Sequence, residues 1–461
     1  MEVTNQPNQP ANTAIDAALK APTTQQPQST FALININLFW LANQFHWQAL
    51  LAIVIPSMVA RFLDPRFKAI NLSTVVTLGT LVAFIVNPLA GAASDYLRLR
   101  IGRRRPFMIV GTIINVAVLV LFAFAPSWFP PGMLLVIFTV LFLMLQMSNN
   151  LANAPWSAII ADRVPQRQRG IASGFNALFT LLGTAIGAIV AGSIVNGNLP
   201  LPAYRNAIVQ IFLLIAVVQI IFVTYTVLMV KEQPLSPEHD VPFRIKDFFK
   251  RFFFNPMHYP DLSWVLLARF LVTMGIWSVF YFLVYYFKDV IGEHTTRTII
   301  LNTPFSGEQF NGVLFQPILL LMALPTSMLG GWLSDRTGRK AIVYFTGIMM
   351  TLVAIIFIIF QNQYFALIGG ACFGIAYGAY SSVDWALTTD VLPSHEEAGK
   401  FMGFWSAMGI LPQVLATAVG GVVLQLLQPL PGHVNYTTLF LLTIIYLAIG
   451  TIVISKVKGV R

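Results

Sequence analysis

The segments "GAASDYLRLRIGRRRP" at 91–106 and "GGWLSDRTGRK" at 330–340 carry the same chemistry in the same order. Each opens on glycine at the end of a long apolar run, passes through Ser-Asp, and closes on Gly-Arg with further basic residues. A second pair repeats as well. Setting Asp162 of "WSAIIADRVP" against Asp390 of "DWALTTDVLP" brings Ala158 onto Ala386 and Pro165 onto Pro393. Loops that recur in both halves of an apolar chain mark the repeat architecture of a secondary transporter.

Composition fixes the medium. Hydrophobic residues make up 56% of the chain and charged residues 10%, where soluble domains carry roughly 25% charged residues. The chain cannot cover a surface in water and is read as an integral membrane protein. A span needs about 20 mostly apolar residues. Twelve such segments follow one another, the first at 33–58, the seventh at 263–287, the eighth at 312–333 and the last at 437–455. The expected fold is all-α, with twelve transmembrane helices in two six-helix pseudo-repeats.

The connection "KEQPLSPEHDVPFRIKDFFKRFFFNP" divides the spans six and six. Residues 1–30, rich in Gln, Pro, Thr and Asn, lack both a basic n-region and an apolar h-region, so a disordered cytoplasmic tail is expected. Residues 31–230 and 263–461 are the expected bundles, with a cytoplasmic linker at 231–262. Within that linker the stretch from Phe243 to Phe254 alternates aromatic and basic residues. An amphipathic helix on the membrane surface and a linker packed on the bundle both fit it.

Lys and Arg concentrate in the loops on the side of the two termini, which places both termini in the cytoplasm of a cell-membrane protein. The net charge of +10 is thereby accounted for without nucleic acid. Cys372 is the only cysteine, so no intrachain disulfide or cysteine metal cluster can form. No H-E-x-x-H or phosphate-loop pattern is present, so neither an enzyme nor an ATP-driven pump has support. No cofactor or metal is expected. The expected partners are the lipid bilayer, a small-molecule substrate and a proton or other cation, with the protein a monomer.

The chemistry lies inside the spans. "LANQFHWQAL" at 41–50 sets Asn43, Gln44, His46 and Gln48 in the first of them. Buried polar groups in a span are costly unless they face the bundle interior or a wet cavity. On a helix, Asn43, His46 and Trp47 share one face. An aromatic ring, an amide and an imidazole together suit a sugar, the ring stacking on an apolar sugar face while amides bind hydroxyls. An imidazole titrates near about pH 6.5, so His46 is read either as a proton carrier or as a neutral group hydrogen-bonded to a neighbouring helix. In the second half, Arg269 lies inside span seven, and Asp384 lies about 9 Å deeper than Asp390 by helical rise. They form either a pair that breaks between states or a permanent brace. Asn87-Pro88, Pro155, Pro325 and Pro412 interrupt helices, and span five carries Gly174, Gly183, Gly187 and Gly192.

The paired loops resemble the cytoplasmic signature of the major facilitator superfamily. That resemblance implies a cytoplasmic gate, formed by Gly91, Asp95, Gly102, Arg103, Arg104 and Asp162 in the first half. Its counterparts in the second are Asp335, Arg336, Gly338, Arg339 and Asp390. Small residues such as Gly91 and Gly330 would let helices approach there.

A closer similarity runs to the glycoside–cation and sucrose–proton symporters. It rests on "NPLAGAASD" with "GRRRPF", on Gln44, Phe45 and Trp47 followed by Pro56, on "NNLANAPWSAIIAD" at 149–162, and on Pro412-Gln413. It implies cation-coupled uptake of a sugar or glycoside by alternating access. The expected substrate ligands are Asn43, Gln44, His46, Trp47, Gln146, Asn149, Asn150, Trp277 and Gln413. The coupling candidates are His46, Asp384 and Arg269. The chain departs from the plant pattern at three places. Gln146 stands where those symporters carry a titratable Asp, His46 where they carry glycine, and Ser157 where they carry Arg. A proton-driven exporter of amphipathic compounds is the alternative.

Overall fold

A computed structural model describes residues 27–97, 99, 101–165, 168–230, 258–292, 305–391, 398–428 and 434–458. The tail at 1–26, the linker at 231–257 and with it the Phe243–Phe254 stretch lie outside the described residues. Hydrocarbon offers no hydrogen bonds to a backbone, so apolar runs of this length close their bonds internally as helices. Among the described residues, twelve helices are long and apolar enough to cross a membrane.

In the first half these are α1 (Thr30–Phe62), α2 (Lys68–Tyr96), α3 (Arg105–Trp128), α4 (Leu134–Arg163), α5 (Arg169–Ile194) and α6 (Leu201–Met229). In the second they are α7 (Pro260–Phe280), α8 (Gly307–Thr337), α9 (Arg339–Ile359), α10 (Gln363–Asp390), α11 (Ala398–Leu426) and α12 (Tyr436–Val453). The helices outrun the apolar windows because hydropathy does not register caps. Ser29, for example, starts α1 by accepting the Ala32 N–H at 3.1 Å. Span seven also differs from its expected form. It breaks at Tyr281 and Phe282 and resumes through Leu283–Tyr286 and a wide π turn at Phe287–Ile291.

The packing repeats as the loops do. In the first half α1 packs on α5 and α6, α2 on α4, and α3 on α4 and α6. In the second, α7 packs on α11 and α12, α8 on α10, and α9 on α10 and α12. Adding six to each number converts one set into the other. The halves meet where α2 lies on α11 and α5 on α8, two contacts that the same operation interchanges.

Proline helps make this seam. Pro56 has no N–H, so the Ala52 carbonyl four residues earlier loses its helical partner. Asn311 Nδ2 of the second half donates to that carbonyl at 2.9 Å, and the Tyr285 hydroxyl donates to the Pro56 carbonyl at 2.9 Å. Ser73 adds a bond from α2 to the Thr417 carbonyl at 2.8 Å.

Glycines set the close crossings. A Cβ on Gly374 or Gly378 would stand 2.2 Å from the Leu319 or Ala323 carbonyl oxygen of α8. On α5, Gly183 and Gly187 admit the backbone of α1, and Gly192 meets Gly312 across the seam. Gly174 has nothing within 4 Å, so it plays no part in this packing. Gly374→Val is expected to destabilise the protein by about 1–3 kcal/mol, the usual cost of overpacking, while Gly174→Ala, which meets no neighbour, is expected to stabilise it by about 0.5–1 kcal/mol through helix propensity. Thermal unfolding in detergent followed by tryptophan fluorescence checks both.

Candidate functional site

The direction each α1 residue faces follows from what touches it. Gln219 of α6 donates to the Ala42 carbonyl at 3.3 Å, and Tyr225 of α6 donates to Asn35 Oδ1 at 3.1 Å. On another side, Trp47 Nε1–H donates to Asn149 Oδ1 of α4 at 2.9 Å, and Trp156 Nε1–H of α4 donates to the Ile36 carbonyl at 2.7 Å. The third side belongs to α5, where Gly183 packs against Leu41 and Gln44.

His46 falls between the α6 and α4 sides and therefore points into the first bundle, with Asn43 beside it. His46 is 0% exposed and Asn43 2%. Neither imidazole nitrogen has a hydrogen-bond partner among the described residues, nor does Asn43 Oδ1. The imidazole instead tilts against the Trp47 ring at 4.7 Å. Gln44 and Trp47 are half-buried and keep exposed surface. Asn43, His46 and Trp47 thus do not all open on one cavity. The helical wheel puts them on one side, but the neighbouring helices divide that side.

An amide cluster surrounds Trp47. Asn150 Nδ2 donates to the Gln146 carbonyl at 2.8 Å and to Gln146 Oε1 at 3.3 Å, while Asn87 Nδ2 of α2 donates to Asn150 Oδ1 at 2.9 Å. Phe142 meets the Trp47 ring edge-on at 6.1 Å. The set Trp47, Asn87, Gln146, Asn149 and Asn150 spans α1, α2 and α4 and contains no carboxylate. Asn87 is absent from the expected ligands, because next to Pro88 it reads as a helix breaker.

In the second half, Trp277 stacks on Tyr281 at 5.2 Å. Gln413 turns its amide back to the Gly409 carbonyl at 3.2 Å. No hydrogen bond among the described residues joins either to the first-half cluster.

Arg269 and Asp384 form an ion pair through Nη1 and Oδ2. The pair is caged. Trp405 Nε1–H donates to Asp384 Oδ2 at 3.2 Å, and the Tyr380 hydroxyl donates to Oδ1 at 3.3 Å. Arg269 Nε donates to the Trp405 carbonyl at 3.0 Å, and its guanidinium lies 3.8 Å over the Trp405 ring. Asp384 is 4% exposed. Three helices, α7, α10 and α11, are tied at this point. Trp405 carries no warning in the sequence, since an aromatic in a span is ordinary core.

The paired loops match in backbone as well as sequence. Gly102 has φ 107° and Gly338 φ 94°, the left-handed conformation that favours glycine. In one loop Arg104 Nη1 donates to Ser94 Oγ at 2.5 Å and to the Gly91 carbonyl at 3.4 Å. In the other, Arg339 Nη1 donates to Ser334 Oγ at 2.6 Å and pairs with Asp335 at 2.5 Å. Arg339 Nε reaches Asp390 at 3.2 Å, and Arg336 stacks on Trp332 at 4.0 Å. Arg103 is half-buried, and the side chains of Asp95 and Asp162 lie outside the described part. Gly330 is a close crossing, its Cβ position 2.7 Å from Ala379 Cα. Gly91 is not: Ala154 Cβ would be 3.8 Å away, an ordinary contact.

A family model described as MFS/sugar transport protein matches residues 48–457. A general alpha-glucoside permease of Schizosaccharomyces pombe is 26% identical over 239 residues, 48% of this chain and 41% of that protein. A sucrose transport protein of Arabidopsis thaliana is 27% identical over 194 residues, 39% of this chain and 37% of that one. The chain spans about two fifths of the length of these curated relatives. A solved D-xylose–proton symporter shares the fold with TM-score 0.69 at 16% identity, over 94% of this chain and 99% of that one. A nucleoside transporter does so with TM-score 0.69 at 12% identity, over 93% and 100%.

Arg269→Met or Asp384→Asn alone leaves a buried partner uncompensated, and each is expected to cost about 3–5 kcal/mol. The double substitution should be less destabilised than the sum of the two, by 1 kcal/mol or more on the scale of about 0.5–3 kcal/mol for contacting residues. A double-mutant cycle on unfolding free energies measures this.

Proposed function

The chain belongs to the MFS/sugar transport protein family, and from that premise we propose that it carries a neutral polyhydroxylated solute, a sugar or glycoside, by proton symport with alternating access. A membrane enzyme is set aside by the same membership. One observation carries the choice of solute: the amides of Asn87, Gln146, Asn149 and Asn150 gather beside an indole with no carboxylate among them. Amides donate to and accept from hydroxyls, and an indole face covers the apolar side of a pyranose. A cationic solute would find no counter-charge there.

The two bundles, 31–230 and 263–461, rock about the seam of α2, α5, α8 and α11. The basic gate loops face the cytoplasm together with both termini, in the cell membrane. Gln44, Trp47, Gln146, Asn149 and Asn150 bind the sugar from the first half, and Trp277 and Gln413 close on it from the second.

His46 carries the proton. A packing role calls for a hydrogen bond to a neighbouring helix, and His46 has none among the described residues. It touches the sugar-binding indole directly, so a charge on the imidazole is felt at Trp47. The caged Arg269–Asp384 pair is the fixed brace of the second half.

An exporter of amphipathic compounds draws on one feature, an apolar cavity inside the second bundle. Phe280, Phe315, Phe357, Phe373 and Phe440 line it with Met350.

Purified protein in liposomes tests the reading. Uphill accumulation of a labelled disaccharide on an inward proton gradient is expected. His46→Gln should lose it while still exchanging sugar without a gradient. Trp47→Ala should instead raise the KM at least several-fold. Proton-driven accumulation by His46→Gln at the wild-type level removes His46 from the mechanism.

A further inference from the structure

At the end of the bundle opposite the Gly102 and Gly338 loops, two charged side chains cross between the halves in opposite directions. Lys68, at the start of α2, enters the second half. Its Nζ lies 2.5 Å from Asp289 Oδ2, and the Tyr436 hydroxyl at the start of α12 donates to the same oxygen. Glu308, at the start of α8, enters the first half. Ser57 Oγ–H donates to its Oε1 at 2.7 Å, and Gly197 N–H donates to its Oε2 at 3.2 Å. The Tyr204 hydroxyl, at the start of α6, lies 2.7 Å from Ser57 Oγ.

The repeat relates α2 to α8 and α6 to α12, so the two contacts are counterparts with their charges exchanged. In each, the start of the second helix of one half is seated beside a tyrosine at the start of the last helix of the other. Their chemistry differs. Lys68 has a counter-ion, whereas Glu308 is 1% exposed and forms no ion pair with Lys or Arg among the described residues. Around Glu308 the facing groups are few. Arg61 of α1 is spent on the Leu199 carbonyl at 2.9 Å and lies 5.8 Å over the Tyr204 ring. Tyr285 has given its hydroxyl to Pro56. Lys288 packs its Cβ and backbone N against Gly307. Asp289 is engaged by Lys68 and Tyr436.

We propose that Lys68 and Glu308 are the two arms of a reciprocal latch that holds this end shut, and that a proton bound by Glu308 releases its arm. The pocket around Glu308 is made of donors, the Ser57 hydroxyl and the Gly197 N–H, at the positive end of a helix. It suits a carboxylate. Adding a proton removes the charge from both hydrogen bonds and either turns the Ser57 hydroxyl from donor to acceptor or sets the new O–H against the Gly197 N–H. With the termini cytoplasmic, as proposed above, this is the extracellular end, and external acid opens it. The proton site thus deepens the symport reading, yet the latch does not need a sugar to be observed.

Spin labels at Gly132→Cys and Gln361→Cys, exposed positions on opposite halves at this end, report its opening in a Cys372→Ser background. Electron–electron double resonance in nanodiscs, without sugar, exposes both faces to one pH between about 3 and 8, a range that extends below the carboxylate values of model peptides. Wild-type protein should show the short distance at pH 7.5 and gain a long-distance population toward acid. Glu308→Gln should raise the open-to-sealed ratio about tenfold at pH 7.5, the effect of losing one charge-assisted hydrogen bond, and should show no pH response. Lys68→Met should open the end in part and keep the acid response, because Glu308 remains. Ser57→Ala, the milder variant, should shift the ratio in the same direction by less. Wild-type distances and acid response in both Glu308→Gln and Ser57→Ala overturn the proposal, as does loss of the acid response in Lys68→Met. Failure of sugar uptake in liposomes would leave these distances untouched and would count only against the transport reading.

Discussion

Hydrocarbon supplies no hydrogen bonds, so the Ala52 carbonyl, stripped of its helical partner by Pro56, must find a donor inside the protein. It finds Asn311 of the other half. That one requirement explains much of the seam. A helix break in the first bundle becomes a contact with the second, and the Tyr285 and Ser73 hydroxyls extend the pattern to two more carbonyls. Neutral hydrogen bonds are individually worth about 0.5–1.5 kcal/mol, and where Gly192 meets Gly312 the backbones touch without interlocking side chains. Such a seam is specific in register.

The repeat is faithful in packing and unequal in chemistry. Setting Asp162 against Asp390 also sets Trp156 against Asp384. Each reaches from the fourth helix of its half to the first. Trp156 does so by stacking on Phe39 at 5.2 Å and Trp40 at 4.9 Å and by its bond to the Ile36 carbonyl. Asp384 does so through Arg269. One half is braced by aromatic surface and the other by an ion pair. The amide cluster belongs to the first half, and the caged charge and the phenyl-lined cavity belong to the second. On the proposed reading, recognition of the solute is concentrated in α1, α2 and α4.

Much of this was legible in the sequence because membrane spans are long and their loops repeat. Twelve spans, the six-and-six division and the repeat of Gly102 in Gly338 needed only hydropathy and spacing. The Arg269–Asp384 pair was legible because isolated charges in apolar runs demand partners. The orientation of His46 was not. A helical wheel gives the angle between residues but not which helix stands at each angle, and α6 stands where the cavity was expected. Glu308 was hidden for a different reason. It lies just before the apolar window of span eight, where a carboxylate reads as solvated loop, and only the packing of the first half over it makes it buried. Asn87 was masked by Pro88, whose effect on the backbone is the stronger signal.

A neutral sugar and a proton are proposed to cross together, bound at Trp47 and His46 of the first half. The most direct measurement is the pH of a weakly buffered suspension of proteoliposomes when disaccharide is added outside with no initial gradient. The account predicts an immediate alkalinisation of the medium that saturates with sugar concentration and vanishes when a protonophore is present. Saturable sugar entry with no change in external pH, or acidification on adding an amphipathic cation in place of the sugar, would contradict it.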